Sequence, residues 1–138
     1  MRTGNPSPDV GMIISDASIS AYRIVQGDTT DTTNANTVVK AATAATQVPI
    51  GITQQASDAA DQYKTVRISG ISMCEVDGSG TAIDNGTPII ATTGGVGIAA
   101  TSSGSSVQWV IGFAQAPSSA SGDIIPVLID RTYYPVGA

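Results

Sequence analysis

The sequence predicts an all-β fold: a compact β-barrel or β-sandwich built from two similar halves of about 60 residues, with an extended N-terminal arm. Three observations carry that reading. Residues 50–69 (IGITQQASDAADQYKTVRIS) and 111–130 (IGFAQAPSSASGDIIPVLID) align without a gap at an offset of 61, and seven of the twenty pairs are identical. The pairs are Ile50/Ile111, Gly51/Gly112, Gln54/Gln115, Ser57/Ser118, Ala59/Ala120, Val66/Val127 and Ile68/Ile129. Only 12% of the residues are charged; Ser, Thr, Ala and Gly take their place, and such small, often β-branched residues suit strands and tight turns better than helices. Finally, turn signals such as Asp77-Gly78, Asn85-Gly86 and Gly94-Gly95 punctuate short apolar runs, the rhythm of an all-β domain.

Taken in order, residues 1–14 read as the arm. Pro6 and Pro8 break any helix, and the segment closes on an apolar anchor, Met12, Ile13 and Ile14. Residues 15–132 form a single β body with internal repeats over about 15–75 and 76–132. Strands are expected at 21–26, 37–42, 47–54 and 63–69, the last alternating cleanly between Lys64, Val66 and Ile68 on one face and Tyr63, Thr65 and Arg67 on the other. Gly51 marks a bulge or a close-packing point. Residues 56–62 are the one plausible helical piece, and ISMCEV at 71–76 is a further strand that closes repeat one. Repeat two supplies strands at 87–91, 96–100, 107–115 and 124–130, and Pro126 marks the last as an edge or a bulge. Trp109 and Phe113 share a face with Ile111 by alternation and are assigned to the core. Residues 133–138 form a tail that begins with Tyr133 and Tyr134.

Charge and residue inventory exclude several functions. The net charge is −5 and the six basic residues are scattered, so no basic stripe exists for nucleic acid, and an anionic chain is repelled by anionic membranes. The N-terminus has no apolar signal core, and the expected site of synthesis is a host cytoplasm. There is no histidine and a single cysteine, Cys74, which removes the commonest general base and any intramolecular disulfide. Paired aspartates occur (Asp28 and Asp31, Asp58 and Asp61, Asp77 and Asp84), but all stand in Ser/Thr/Gly-rich turns, where Asp caps backbone N–H groups. The closing Glu of a calcium loop is absent. No GxSxG, GxxxxGK[ST] or GxGxxG element occurs. The chain is therefore expected to be no enzyme, with no catalytic residues, no cofactor and no metal. A surface with two Lys and one Glu, and with Tyr near its end, has the composition of a protein interface.

The phrase IDNGTPII at 83–90, followed by IGFAQ and VLI within 111–129 and a weaker copy at 50–68, resembles the decoration, or cement, proteins of tailed-bacteriophage capsids. The resemblance spans most of residues 20–130. It implies a structural virion protein on the capsid exterior, with the major capsid protein as partner, a homotrimeric state, and stabilisation of the shell by bridging capsomers. Bridging many subunits adds buried area at each junction and acts through multivalency. On this reading Met12, Ile13, Ile14, Tyr133 and Tyr134 are the candidate capsid or subunit contacts. A carbohydrate- or receptor-binding module of a phage tail or cell surface is the alternative, although few aromatic side chains are present to stack on sugars.

Overall fold

The computed structural model describes residues 8–34, 37–101 and 107–134. It is all-β and built from two similar halves, each a closed five-stranded barrel. The first holds β1 (Asp9–Ile14), β2 (Ile24–Gly27), β3 (Val38–Ala41), β4 (Pro49–Thr53) and β5 (Gln62–Arg67), in the order β1-β3-β2-β4-β5 with β5 returning to β1. The second holds β6 (Gly70–Asp77), β7 (Pro88–Ala91), β8 (Gly97–Ala99), β9 (Gln108–Ala114) and β10 (Ser121–Tyr134), in the order β6-β8-β7-β9-β10 with β10 returning to β6. Each barrel has one parallel pair at the same place, β1 with β3 and β6 with β8. Closure leaves few free edges in either half.

The residues shared by the repeats are those that make this closure. Ile50 and Ile111 are skipped in register beside Gly51 and Gly112, so each is the extra residue of a bulge. Gly51 and Gly112 lie flat against the Arg67 and Leu128 carbonyls of the neighbouring strand, where a Cβ has no room. Gln54 and Gln115 fold back so that Nε2 donates to the Ile52 and Phe113 carbonyls, at 3.1 and 3.2 Å. Ser57 and Ser118 each form a lone bridge to the loop before the second strand, with Ile19 and Ile83, and their hydroxyls approach the Ala59 and Ala120 carbonyls. Val66 and Val127 are fully buried.

Several expectations are corrected. The described part of the expected arm, residues 9–14, is strand β1, whose period-two partner is β5 across the whole of the chain's first half. The halves are accordingly 9–67 and 70–134 rather than 15–75 and 76–132, and ISMCEV opens the second half instead of closing the first. Residues 1–7 and 135–138 lie outside the described residues. The segment 56–62 is a turn with Asp61 at φ 62°, not a helix. Trp109 and Phe113 are only half-buried, because the bulge at Ile111 breaks the alternation that assigned them to the core. Pro126 is not on an edge: β10 lies between β6 and β9, and the Pro126 carbonyl accepts from Gln115 N just beyond the end of β9, so the return bond that its missing N–H forgoes lies outside the paired strand.

Two apolar clusters hold the molecule together. Met12, Ile14, Ile19, Val25, Val39 and Val66 fill the first barrel. The other cluster fills the second barrel and also takes in Ile24, Ala42 and Ile52 from the first, so the barrels share one apolar junction. Polar groups tie the same seam. Arg23 pairs with Glu75 at 2.9 Å and donates through Nη1 to the Gly94 carbonyl at 3.0 Å. Gly95 N donates to the Ala42 carbonyl, and Gly95, at φ 76°, has no space for a Cβ beside Ile24. Arg23→Ala leaves Glu75 without its cation in a partly buried seam, and a loss of about 1–3 kcal/mol is expected in chemical unfolding.

Candidate interaction surface

Of the aspartates named from sequence, Asp28, Asp31 and Asp77 act as turn caps. Asp28 accepts from the Thr30 backbone and hydroxyl and faces Lys40 at 3.6 Å. The Ser15 hydroxyl, then Thr30, hold its carboxyl well below the usual carboxylate range. Backbone N–H groups of Thr33 and Asn34 lower Asp31, and the Ser79 hydroxyl lowers Asp77. Asp58, Asp61 and Asp84 are exposed. A general acid requires the opposite shift. Groups depressed in the fold contribute stability above their unfolded value near 4, and that contribution is lost as pH falls through the lower folded value. With no histidine in the chain, stability is expected to be flat from about pH 5 to 8 and to decline only below about pH 4. Thermal melts across pH test this; a steep dependence near pH 6 would contradict it.

Cys74 is fully buried on β6, and burial, then the neighbouring Glu75, push its thiol up to about 12. The native protein is expected to resist thiol reagents and to react once denatured. Rapid labelling of the folded chain would show a different environment.

At the seam a cleft of about 550 Å³ is lined by Asp16, Ser20, Arg23, Gln26, Lys40 and Gln47, among others. Its charged groups already have intramolecular partners: Arg23 with Glu75, Lys40 with Asp28, and Asp16 Oδ2 with the Ala41 N–H. Gln47 Oε1 accepts from Thr43. Gln26 Oε1 is buried without a hydrogen-bond partner among the described residues. The cleft offers a ligand few uncommitted groups.

The residues expected to grip a partner separate into two sets. Met12, Ile13 and Ile14 are 6%, 6% and 0% exposed, so all three are covered within the chain, Met12 and Ile14 in the first barrel's core and Ile13 on the other face of β1, and none is presented as a contact surface. The sequence hid this because an apolar triplet after two prolines reads the same in an arm and in a strand. Tyr133 is 57% exposed at the end of β10 and stacks on Trp109 with ring centroids 3.8 Å apart. Here β9 and β10 run past the second barrel onto the first, with Trp109 N donating to the Ala45 carbonyl and Arg131 Nη1 to the Pro49 carbonyl. Tyr134 pairs through its backbone with Gln108, and its side chain lies outside the described residues.

The fold thus defines a class, a tandem pair of closed five-stranded barrels with matching topology. A solved structure is similar in fold to this chain: the head fiber gp8.5 N base of bacteriophage phi29, at a TM-score of 0.65 and 16% identity, over 92% of this chain and 97% of the other. At that identity the likeness is one of fold. No protein-family model and no curated protein matches the chain.

Proposed function

We propose that this chain is a structural protein of a phage virion, bound to the outer surface of the assembled capsid and stabilising it by bridging capsomers. The observation that carries this is the fold likeness to a phage head-fiber base over 92% of the chain, and the decoration-protein resemblance in sequence supports the same reading. The proposed partner is the major capsid protein, and the proposed working form is a homotrimer. Among the described side chains, Tyr133 is the proposed contact, an exposed ring held in place by Trp109, the kind of rigid aromatic that anchors interfaces.

The test is co-sedimentation with expanded empty shells, followed by heating of coated and bare shells. Saturable binding and a raised shell-disruption temperature are expected, and Tyr133→Ala is expected to weaken binding by about tenfold or more. Shells that shed the protein at every concentration would overturn the proposal. Deletion of residues 1–14 does not test an arm, because it removes β1 and both of its pairings. That truncation is expected to unfold the first barrel, read as loss of cooperative melting.

A further inference from the structure

The internal repeat provides its own control for surface chemistry. In the first barrel the outward positions of the β1–β5 pair carry Asp9 opposite Arg67 and Gly11 opposite Thr65. Asp9 and Arg67 form a two-pronged ion pair, with Nε to Oδ1 at 2.7 Å and Nη2 to Oδ2 at 3.1 Å. At the equivalent register of the second barrel stand Ile71 opposite Leu128 and Met73 opposite Pro126. Their strand neighbours Ser72, Cys74, Ile125 and Val127 are buried and point inward. Ile71, Met73, Ile124 and Leu128 are therefore outward, at 55%, 38%, 47% and 41% exposure. Half-buried Phe113, opposite Leu128 on β9, continues the same apolar face. One fold, used twice, places an Asp9–Arg67 ion pair where the other barrel has Ile71 and Leu128, while further along the face Tyr63 opposite Ile13 stands where the second barrel has Ile124 opposite Glu75.

We infer that this outer face of the second barrel, centred on Ile71, Met73, Ile124 and Leu128, is the contact between copies of this chain. The inference rests on the homo-oligomeric reading proposed above and names the surface that makes it. The four side chains, each 38–55% exposed, are neighbours on one sheet face, the kind of apolar patch that marks an interaction site, and stable interfaces have such an apolar centre within a polar rim. Arg67, whose Nη1 donates to the Ile71 carbonyl, and Asp130, two residues beyond Leu128, stand at one end as rim charges. The chain carries a net charge of −5, so most approaches between two copies bring like charges together. The centre of this face carries no unpaired charge, since its one acid, Glu75, is held by Arg23. A copy of the same chain is also the partner present from synthesis onward, before any shell exists to cover the patch.

The experiment transplants the first barrel's solution onto the second. The full chain and the double variant I71D/L128R, which recreates the Asp9–Arg67 pairing, are compared by sedimentation over about a hundredfold range of concentration. Wild type is expected to self-associate, and the double variant to associate at least ~100-fold more weakly while keeping cooperative unfolding. Met73→Lys, a lighter change, is expected to act in the same direction should the double variant fold poorly. Tyr63→Ser, on the corresponding face of the first barrel, is expected to leave association unchanged. A monomeric wild type, or patch variants that associate like wild type, would overturn the inference. Both forms are also tested on empty shells: a monomer that binds shells removes this inference and keeps the capsid reading, and an oligomer that ignores shells does the reverse.

Discussion

Replacing Gly112 by alanine is expected to open the second barrel. A Cβ at that position would overlap the Leu128 carbonyl oxygen and stand 2.8 Å from the Leu128 carbonyl carbon and 3.0 Å from the Ile129 Cα. All three are backbone atoms, so no side chain can swing aside. Relief requires β9 and β10 to separate, and that pair is the seam that closes the ring. Overpacking a flexible core costs about 1–3 kcal/mol; a clash with backbone is expected to reach or exceed ~3 kcal/mol, a large share of the 5–15 kcal/mol that holds a domain folded. Gly51→Ala meets the Arg67 carbonyl in the same way and is expected to behave alike in the first barrel. Gly80→Ala, which meets nothing within 4 Å, is the matched control and is expected to be near neutral. Denaturant midpoints for the three variants decide the matter; equal midpoints for Gly112→Ala and Gly80→Ala would show that the strands are not held this closely.

Truncating the junction is expected to uncouple the barrels. Ile24 and Ile52 are register partners on β2 and β4, both fully buried, and both belong to the cluster that fills the second barrel. Val25, between them in chain order on the opposite face of β2, belongs to the first barrel's own cluster. Ile24→Ala or Ile52→Ala is expected to cost about 2–5 kcal/mol. The double variant should cost less than the sum, because the two side chains border one cavity. Calorimetry of wild type is expected to show one transition, since the second barrel's core is completed by Ile24, Ala42 and Ile52 of the first. In the double variant that transition should broaden or divide. A single sharp transition there would mean that the polar seam, from Arg23 to Glu75 and Gly95 to Ala42, suffices to couple the halves.

Both predictions depend on residues whose importance was only partly visible in the sequence. Gly51 and Gly112 stood out as a repeated pair, but a repeated glycine reports a constraint without naming the neighbour that imposes it. The neighbouring carbonyls belong to Arg67 and Leu128, each 16 residues further along the chain. Ile24 and Ile52 lay within expected strands, yet no pattern in the chain distinguishes an inward residue of one barrel from a residue that feeds its neighbour. The contact candidates divided similarly. Tyr133 stayed exposed because it ends a strand, whereas Met12, Ile13 and Ile14 were drawn inside by a partner 50 or so residues away. The apolar face of the second barrel was written in plain view as Ile71, Met73, Ile124 and Leu128. It became legible only when register set it beside Asp9 and Arg67.

By itself the sequence determined the fold class, the duplication and its offset, most strand positions, and an acidic charge balance. These are properties of local alternation, turn chemistry and composition, which short windows of chain contain. Tertiary structure decided that the supposed arm is a barrel strand, that the body is two rings instead of one, and which apolar residues are interior, junction or surface. The physical reason is that strand pairing joins residues far apart in sequence. Asp9 meets Arg67 and Ile71 meets Leu128, and a side chain's face is settled by the partner strand that closes the ring.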